Sequence, residues 1–195
     1  MPGHWLMKSE PDTFSIHDLV RVGREPWTGV RNYQARNHMR DGMRVGDLIL
    51  FYHSSCEPPG VVGLARVTRT GVVDETQFDP ASPYFDPGAR RDAPRWICVE
   101  VEHVETLPRQ VTLDELRADP ALVDMLVLQR GQRLSVQPVS PAHYRAVVAK
   151  ARRAAPAAAP AARGAGAPAR TAGTARARRP APPPPGRGAR TRPAR

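Results

Sequence analysis

The sequence predicts an α+β domain in which short helices flank a small curved sheet or β-barrel. Strand-like apolar runs and short capped helical segments alternate in mixed order along residues 1–150. All tryptophan, tyrosine and phenylalanine residues lie in this part, which is long enough to bury one core. Residues 151–195 consist only of Ala, Arg, Pro, Gly and Thr, and they therefore predict a disordered tail.

The first 40 residues contain the patterns of one strand and two short helices. Residues 4–8 predict a central strand, because apolar side chains fall on both faces. Ser15 and Asp18 form a capping-box pattern that begins a helix, and Gly23 is placed to end it. Residues 32–39 are polar and have helical character.

Two strands and a long loop are predicted in the middle of the domain. Residues 48–53 form an unbroken apolar run, typical of a strand covered on both faces or of a barrel wall. Residues 61–68 predict another strand, in which Gly63 indicates a bulge or a close approach. Residues 74–95 contain four prolines and predict a long loop, which in a compact domain is often functional.

The next segment alternates between apolar and polar residues. Residues 96–104 therefore predict a strand with one apolar face. Trp96 falls on the more polar face, where a large ring is out of place unless another group covers it. Thr112 and Glu115 form a second capping box and predict a short helix.

Two helices and a strand are expected at the end of the domain. Asp119 precedes a proline and predicts a helix over residues 120–130, with Gly131 at its end. Residues 134–137 predict a short strand, and residues 141–152 predict the last helix before the tail.

The charge of the chain is concentrated in the tail. The formal net charge is +10, from 29 basic and 19 acidic residues. Residues 150–195 hold 12 of the basic residues and none of the acidic ones, which leaves a formal charge of −2 on the preceding part. The tail could add non-specific phosphate contacts to nucleic acid, or it could be a solvated extension, and the sequence leaves both interpretations open.

Compartment and membrane association are constrained by simple patterns. No segment is apolar enough to span a membrane, and Lys8, Glu10 and Asp12 interrupt any secretion-signal pattern. Two cysteines are too few for a disulfide framework or a cysteine zinc site. We therefore expect a cytoplasmic protein in a reducing compartment, with no membrane partner; its oligomeric state stays open.

Motifs for cofactor and metal chemistry are missing. The sequence has no glycine-rich dinucleotide or phosphate loop and no metalloprotease or nucleophile-elbow motif. The six histidines show no ligand spacing, so we expect no cofactor and no metal. A catalytic serine–histidine–aspartate set leaves no local motif, so an enzyme acting through His53 with Ser54, or with an aspartate of the 79–92 loop, stays an alternative.

Several aromatic residues stand next to polar ones. Flat rings can stack on a splayed nucleobase while nearby amides and hydroxyls bind its edge. Any one of these residues is more simply a core aromatic with one satisfied polar tip, but as a group they favour a pocket. They are Trp5, Trp27, Tyr33, Tyr52, Tyr84 and Trp96.

A series of short motifs in a fixed order covers nearly all of residues 4–149. They are WLMKSEP (5–11), WTGVRNYQARN (27–37), VGD (45–47), FYHS (51–54), PGVVG (59–63), FDP (78–80), SPYFDP (82–87), PRW (94–96) and LSVQPV (134–139). By this set the chain is identified as a member of the EVE domain family of the PUA-like superfamily, in its thymocyte nuclear protein 1-like branch. Thr28 departs from the family pattern, which often has an acidic residue at this position.

The resemblance implies a PUA-like barrel of five or six strands and a pocket that accepts a modified nucleobase. It also implies a reader rather than a catalyst, with nucleic acid as the partner. The base would be a modified cytosine in DNA or a modified base in RNA. The residues that the motif match places at or near the pocket are Trp5, Lys8, Ser9, Trp27, Asn32, Tyr33, Arg36, Tyr52, His53, Ser54, Tyr84, Trp96 and Ser135.

Roles within this set follow from side-chain chemistry. We expect Trp27 and Trp96 to stack on the base, in a slot between indole rings. A general RNA-binding module without selectivity for modification stays an alternative. Candidate groups for the base edge are Ser9, Asn32, Ser54 and Ser135, and candidate cations for flanking phosphates are Lys8, Arg31 and Arg36.

Overall fold

The structure, a computed structural model, describes residues 1–153, and a mixed six-stranded sheet forms its centre. The strand order is β2-β5-β4-β3-β1-β6. The strands are β1 (His4–Ser9), β2 (Arg24–Pro26), β3 (Leu48–His53), β4 (Gly60–Val73), β5 (Ile97–Thr112) and β6 (Val136–Pro138). The helices are α1 (Ile16–Val22), α2 (Tyr33–Asn37), α3 (Leu113–Arg117) and α4 (Pro141–Arg152).

The pairing of the strands explains the curvature of the sheet. β1 lies parallel to β3 and antiparallel to β6, and the other neighbours are antiparallel. The register between β4 and β5 shifts four times along their length. Such bulges bend a strand and increase its twist, so the two longest strands curve the sheet. The predicted α+β class with a curved sheet and short flanking helices is confirmed.

The two faces of the sheet bury separate apolar clusters. Trp5, Met7 and Phe51 point to one cluster, which also contains the buried residues of α1 and α2. Leu6 and Leu50, which alternate with them, point to a second cluster that contains the buried face of α4. This arrangement explains why β1 and β3 are apolar on both faces, as the sequence predicts.

Local signals at helix ends are also confirmed. Both predicted capping boxes form, at Ser15 for α1 and at Thr112 for α3. Gly23 ends α1 with a φ of 76°. At Gly63, an added Cβ would lie 2.5 Å from Cδ1 of Ile16, so this glycine permits α1 to pack closely on β4.

The helix predicted over residues 120–130 is wrong. The chain instead forms two short 3₁₀ turns, Pro120–Leu122 and Leu126–Leu128, although Asp119 does accept a hydrogen bond from the Ala121 amide. Leu122, Met125 and Val127 are all buried, and their spacings of three and two do not fit one face of an α-helix. Gly131 has a positive φ, but it lies in a turn and does not end a helix as predicted.

Other elements differ from prediction mainly in length. The 74–95 loop is largely irregular, as predicted, with one 3₁₀ turn at Glu75–Phe78. β4 and β5 extend beyond their predicted ends, and α2 continues into a π-helical turn, His38–Gly42. β2 is not predicted, because a three-residue edge strand containing proline leaves no periodicity to detect.

The described residues bear on several further expectations. None of the helices in residues 1–153 is long and apolar enough to cross a membrane. Within the same range no cluster of three or more His, Cys, Asp or Glu side chains could hold a metal ion. Cys56 and Cys98 are both free thiols. The predicted disordered tail lies, from residue 154 onward, outside the described residues.

Candidate functional site

A cavity of about 480 Å³ opens where the ends of β1 and β2 meet two loops. Its size is within the range of protein pockets that enclose small ligands. The lining residues are Lys8, Ser9, Glu10, Thr13, Phe14, Glu25, Pro26, Trp27, Thr28, Gly29, Val30, Arg31, Tyr84 and Ser135.

Trp27 is the largest of the aromatic side chains that line the cavity. Its backbone amide donates to the Val99 carbonyl at 2.8 Å, which continues the pairing of β2 with β5. Its ring packs edge-on against Phe51 at 5.3 Å and against Phe14 at 6.5 Å. Only 7% of the residue is exposed, so the indole is held firmly by the core. Its indole N–H donates to no acceptor among the described residues. This donor is therefore available to a ligand.

An ion pair with a buried carboxylate holds another part of the cavity wall. Asp74, which is 2% exposed, accepts hydrogen bonds from Arg31 Nη1 at 2.7 Å and from the Gly29 amide at 2.9 Å. Arg31 Nε donates to the Tyr84 carbonyl at 2.7 Å, which ties the 74–95 loop to the cavity. Gly29 has a φ of 81°, and an added Cβ would lie 2.9 Å from the Tyr84 ring. The glycine therefore permits both the turn and the contact with Tyr84.

The far end of the cavity is polar. Lys8 donates through its backbone amide to the Ser135 carbonyl at 2.8 Å, and its Nζ donates to the Gln132 carbonyl at 3.4 Å. No carboxylate among the described residues lies within 4 Å of this ammonium group, and burial lowers the pKa of Lys8. Ser9 Oγ donates to the Phe14 carbonyl at 2.7 Å and so retains only acceptor capacity toward a ligand.

Trp96 does not line this cavity. It is 5% exposed and stacks on Tyr33, with ring centroids 5.0 Å apart, while its indole N–H donates to Asp86 at 2.7 Å. The guanidinium carbon of Arg31 lies 5.2 Å from its ring centroid. Arg36 lies 5.0 Å from the Tyr33 ring centroid and donates to the Arg95 carbonyl. These contacts cover the ring that the sequence places on a polar face.

Trp5 is separated from the cavity as well. Its indole N–H donates to the buried Asp47 carboxylate at 2.9 Å, and its ring lies 5.6 Å from that of His38. It borders a shallow depression near the first three residues instead. The expected slot between indole rings is therefore wrong: of the three tryptophans, only Trp27 lines the cavity, together with the rings of Phe14 and Tyr84.

Four more of the predicted residues have structural contacts outside the lining. His53 Nε2 accepts a hydrogen bond from the Ile16 amide at 3.1 Å, and burial lowers the pKa of this imidazole. Ser54 Oγ donates to the Ser9 carbonyl, not to His53. Tyr52 is buried in the second apolar cluster, where burial raises its pKa to about 12. Asn32 Oδ1 accepts from the Ala35 amide and caps α2.

The structure therefore brings together only part of the predicted set. The predicted residues in the lining are Lys8, Ser9, Trp27, Tyr84 and Ser135. Phe14 and Glu25 also line the cavity but were missed from sequence. Glu25 lies two residues before Trp27, and this spacing on an extended segment is the signal that could have found it.

The comparison with known families gives a clear result. The EVE domain model matches residues 3–150, about three quarters of the chain. The chain belongs to the EVE domain family. Its resemblance to the thymocyte nuclear protein 1 branch is also confirmed: the Homo sapiens protein is 39% identical over 158 residues, which cover 72% of this chain and 70% of that relative.

Solved structures of similar chains have the same fold. A protein from Pseudomonas putida is 49% identical and superposes with a TM-score of 0.73, covering 76% of this chain and 99% of that one. The human THYN1 protein in complex with 5-methylcytosine-containing DNA is 37% identical, with a TM-score of 0.73, covering 78% of this chain and 99% of that one.

Proposed function

We propose that this EVE domain is a reader of DNA that carries a modified cytosine, and that the base enters the cavity beside Trp27. The observation that carries the proposal is the similarity, along nearly the whole domain, to a human protein whose structure contains 5-methylcytosine DNA. The cavity supports it independently, because it combines a fixed aromatic surface with two polar side chains, Glu25 and Ser135, that have no hydrogen-bond partner among the described residues.

The cavity chemistry suits a flat heterocycle. Trp27, Phe14 and Tyr84 provide aromatic surface for stacking, which contributes about 1–3 kcal/mol per base. Lys8 and Ser135 provide hydrogen-bond donors for carbonyl and ring-nitrogen acceptors on the base edge. A base in a duplex must first leave the stack, which costs a few kcal/mol. Contacts between the base and the cavity must therefore offset this free energy.

Cations near the cavity support contact with the DNA backbone. Lys8 lines the cavity and is assigned to the edge of the base. Arg36 lies outside the lining, contacts carbonyl and amide oxygens and aromatic rings, and pairs with no carboxylate among the described residues, so its charge is available to phosphates. Arg31, by contrast, is neutralised by Asp74, and we assign it to holding the cavity wall.

A reader without catalysis fits the site better than the alternative enzyme. A nucleophilic serine needs a hydrogen bond to its base, whereas the His53 lone pair is engaged by the Ile16 amide. Binding to RNA without selectivity for modification stays the second candidate function. Competition with unmodified RNA separates this function from the reading of a modified cytosine in DNA.

We also propose that the protein acts in a reducing compartment inside the cell, consistent with its free thiols Cys56 and Cys98.

Binding of the full chain to two duplexes, identical except for one central 5-methylcytosine or cytosine, tests the proposal. We expect tighter binding to the modified duplex in a fluorescence-anisotropy titration. Trp27→Phe should weaken binding to the modified duplex several-fold, because the smaller ring loses stacking area and the indole N–H. Trp5→Phe is the matched control, since this indole lies outside the cavity. Equal affinity of the wild type for both duplexes would reject the proposal.

A further inference from the structure

Glu25 places a carboxylate in the cavity beside Trp27. The two residues are two positions apart on the extended segment of β2 that pairs with β5, so their side chains share one face. Glu25 is directly opposite Val101, and Val101 and Trp27 belong to the same apolar cluster. Cross-strand partners point to the same side of a sheet, which directs Glu25 toward the cavity rather than away from it.

The Glu25 carboxylate has no donor among the residues that the structure describes. Other acidic groups nearby are engaged: Asp74 binds Arg31, and Glu10 accepts from Ser55 Oγ at 2.8 Å. Partial burial raises the pKa of Glu25, and the negative charge of Glu100 raises it further. A partly desolvated acceptor without a donor costs free energy, and such groups are enriched at binding sites.

We propose that Glu25 is a specificity-determining residue that accepts a hydrogen bond from the exocyclic amino group of the bound base. This inference rests on the proposed function and names the chemical class of base that the cavity takes. Cytosine presents an amino donor at position 4, whereas thymine presents a carbonyl acceptor there. A carboxylate attracts the first group and repels the second, so the cavity selects an amino-pyrimidine over a keto-pyrimidine.

The charge pattern of the cavity matches this assignment. Lys8 and Glu25 both line it, yet no ion pair within 4 Å joins them. A pyrimidine such as cytosine has a donor at one end of its edge and a carbonyl acceptor at the other. A base between the two side chains would satisfy both, with its amino group toward Glu25 and its carbonyl toward Lys8.

The decisive comparison is between 5-methylcytosine and thymine, which share the ring and the methyl group. Each base, and unmodified cytosine, is placed opposite an abasic site in one duplex, so that no base pair is broken on extrusion. We expect the full-length wild type to bind 5-methylcytosine at least about tenfold more tightly than thymine, as a hydrogen bond to a charged group implies. Glu25→Leu should remove most of this ratio by weakening 5-methylcytosine binding.

Two further variants complete the test. Glu57→Leu removes the same charge from an exposed residue outside the cavity and should keep the ratio of 5-methylcytosine to thymine binding. Glu25→Gln keeps a carbonyl acceptor and adds an amide donor, so it should gain affinity for thymine. It also serves as the test if Glu25→Leu does not fold.

Each outcome has one meaning. No wild-type preference over thymine, or a wild-type ratio retained in the folded Glu25 variant, overturns the inference. The ratio of 5-methylcytosine to cytosine in the same titrations tests the proposed function separately, because Glu25 contacts a group that both of these bases carry.

Discussion

At the scale of single residues, Asp74 holds together the segments that form one wall of the cavity. Its buried carboxylate accepts from Arg31, from the Gly29 amide and from Thr76, which joins two loops at one point. Arg31 in turn fixes the Tyr84 carbonyl. Loss of one partner from a buried ion pair leaves the other charge without compensation, which is more costly than loss of the whole pair.

Asp74→Asn should therefore lower the free energy of unfolding by about 3–5 kcal/mol, measured by urea denaturation. DNA binding should weaken as well, since Arg31 and Tyr84 would lose their fixed positions. Asp92→Asn is the control: Asp92 lies in the same loop and pairs with Arg90, but both side chains are largely exposed. The control should leave the unfolding midpoint essentially unchanged. Similar midpoints for both variants would contradict this role of Asp74.

Prediction from sequence works at this scale where the contact is local. The caps at Ser15 and Thr112 engage residues three positions away, so their pattern is visible in the sequence. Trp96 is different, because the ring that covers it belongs to Tyr33, far away in the chain. The expected indole slot failed for this reason: exposed polar neighbours in sequence do not show which tertiary contacts an aromatic ring makes.

At the scale of elements, α1 depends on a histidine from a neighbouring strand. His53, the last residue of β3, accepts a hydrogen bond from the Ile16 amide at the first turn of α1. An imidazolium has no lone pair to accept this bond. Burial, followed by the positive charge of His17, lowers the pKa of His53 below its usual 6.5, so the folded protein holds this side chain neutral.

The stability of the domain should consequently decrease in mild acid. Below pH 6.5 the unfolded chain binds a proton at His53 that the folded chain resists, so the free energy of unfolding falls as the pH drops through this range toward the lower folded pKa. His4 and His38, whose pKa values are also lowered by burial, add to the same slope. Urea unfolding at pH 7.5 and pH 5.5 measures the difference.

His53→Gln should reduce this pH dependence, because an amide carbonyl can accept from the Ile16 N–H and does not titrate. His103→Gln, near the surface on β5, controls for a general loss of histidine charge. A pH dependence that is identical in wild type and His53→Gln would show that His53 does not contribute.

The strands and helices also show which sequence patterns predict secondary structure and which do not. Strands β1 and β3 were predicted well because both of their faces are buried, which leaves a continuous apolar run. The 120–130 segment has a correct cap but no α-helix, since burial of Leu122, Met125 and Val127 in the second cluster dictates tighter turns. Tertiary packing overrides local propensity in such short segments.

At the scale of the whole molecule, the basic residues are concentrated toward the C-terminal end of the sequence. Residues 1–153, which include the complete last helix, hold 20 basic and 19 acidic residues, whereas residues 154–195 contain nine arginines and no acidic residue. A domain with this balance attracts DNA weakly over a distance, so its affinity for phosphates must come from local cations such as Arg36 or from the tail. Composition alone reveals this division, while the cavity is visible only in the folded domain.

Salt dependence can separate these two sources of affinity. The logarithm of the binding constant falls with the logarithm of salt concentration by about 0.9 per phosphate contact in duplex DNA. If the tail contacts phosphates, deletion of residues 154–195, which leaves α4 complete, should make this slope shallower while the ratio of 5-methylcytosine to cytosine binding stays constant. Arg36→Met should reduce the slope by about one contact in either background. An unchanged slope after deletion would assign the electrostatic part of binding to the domain, because the arginines removed would then release no counterions.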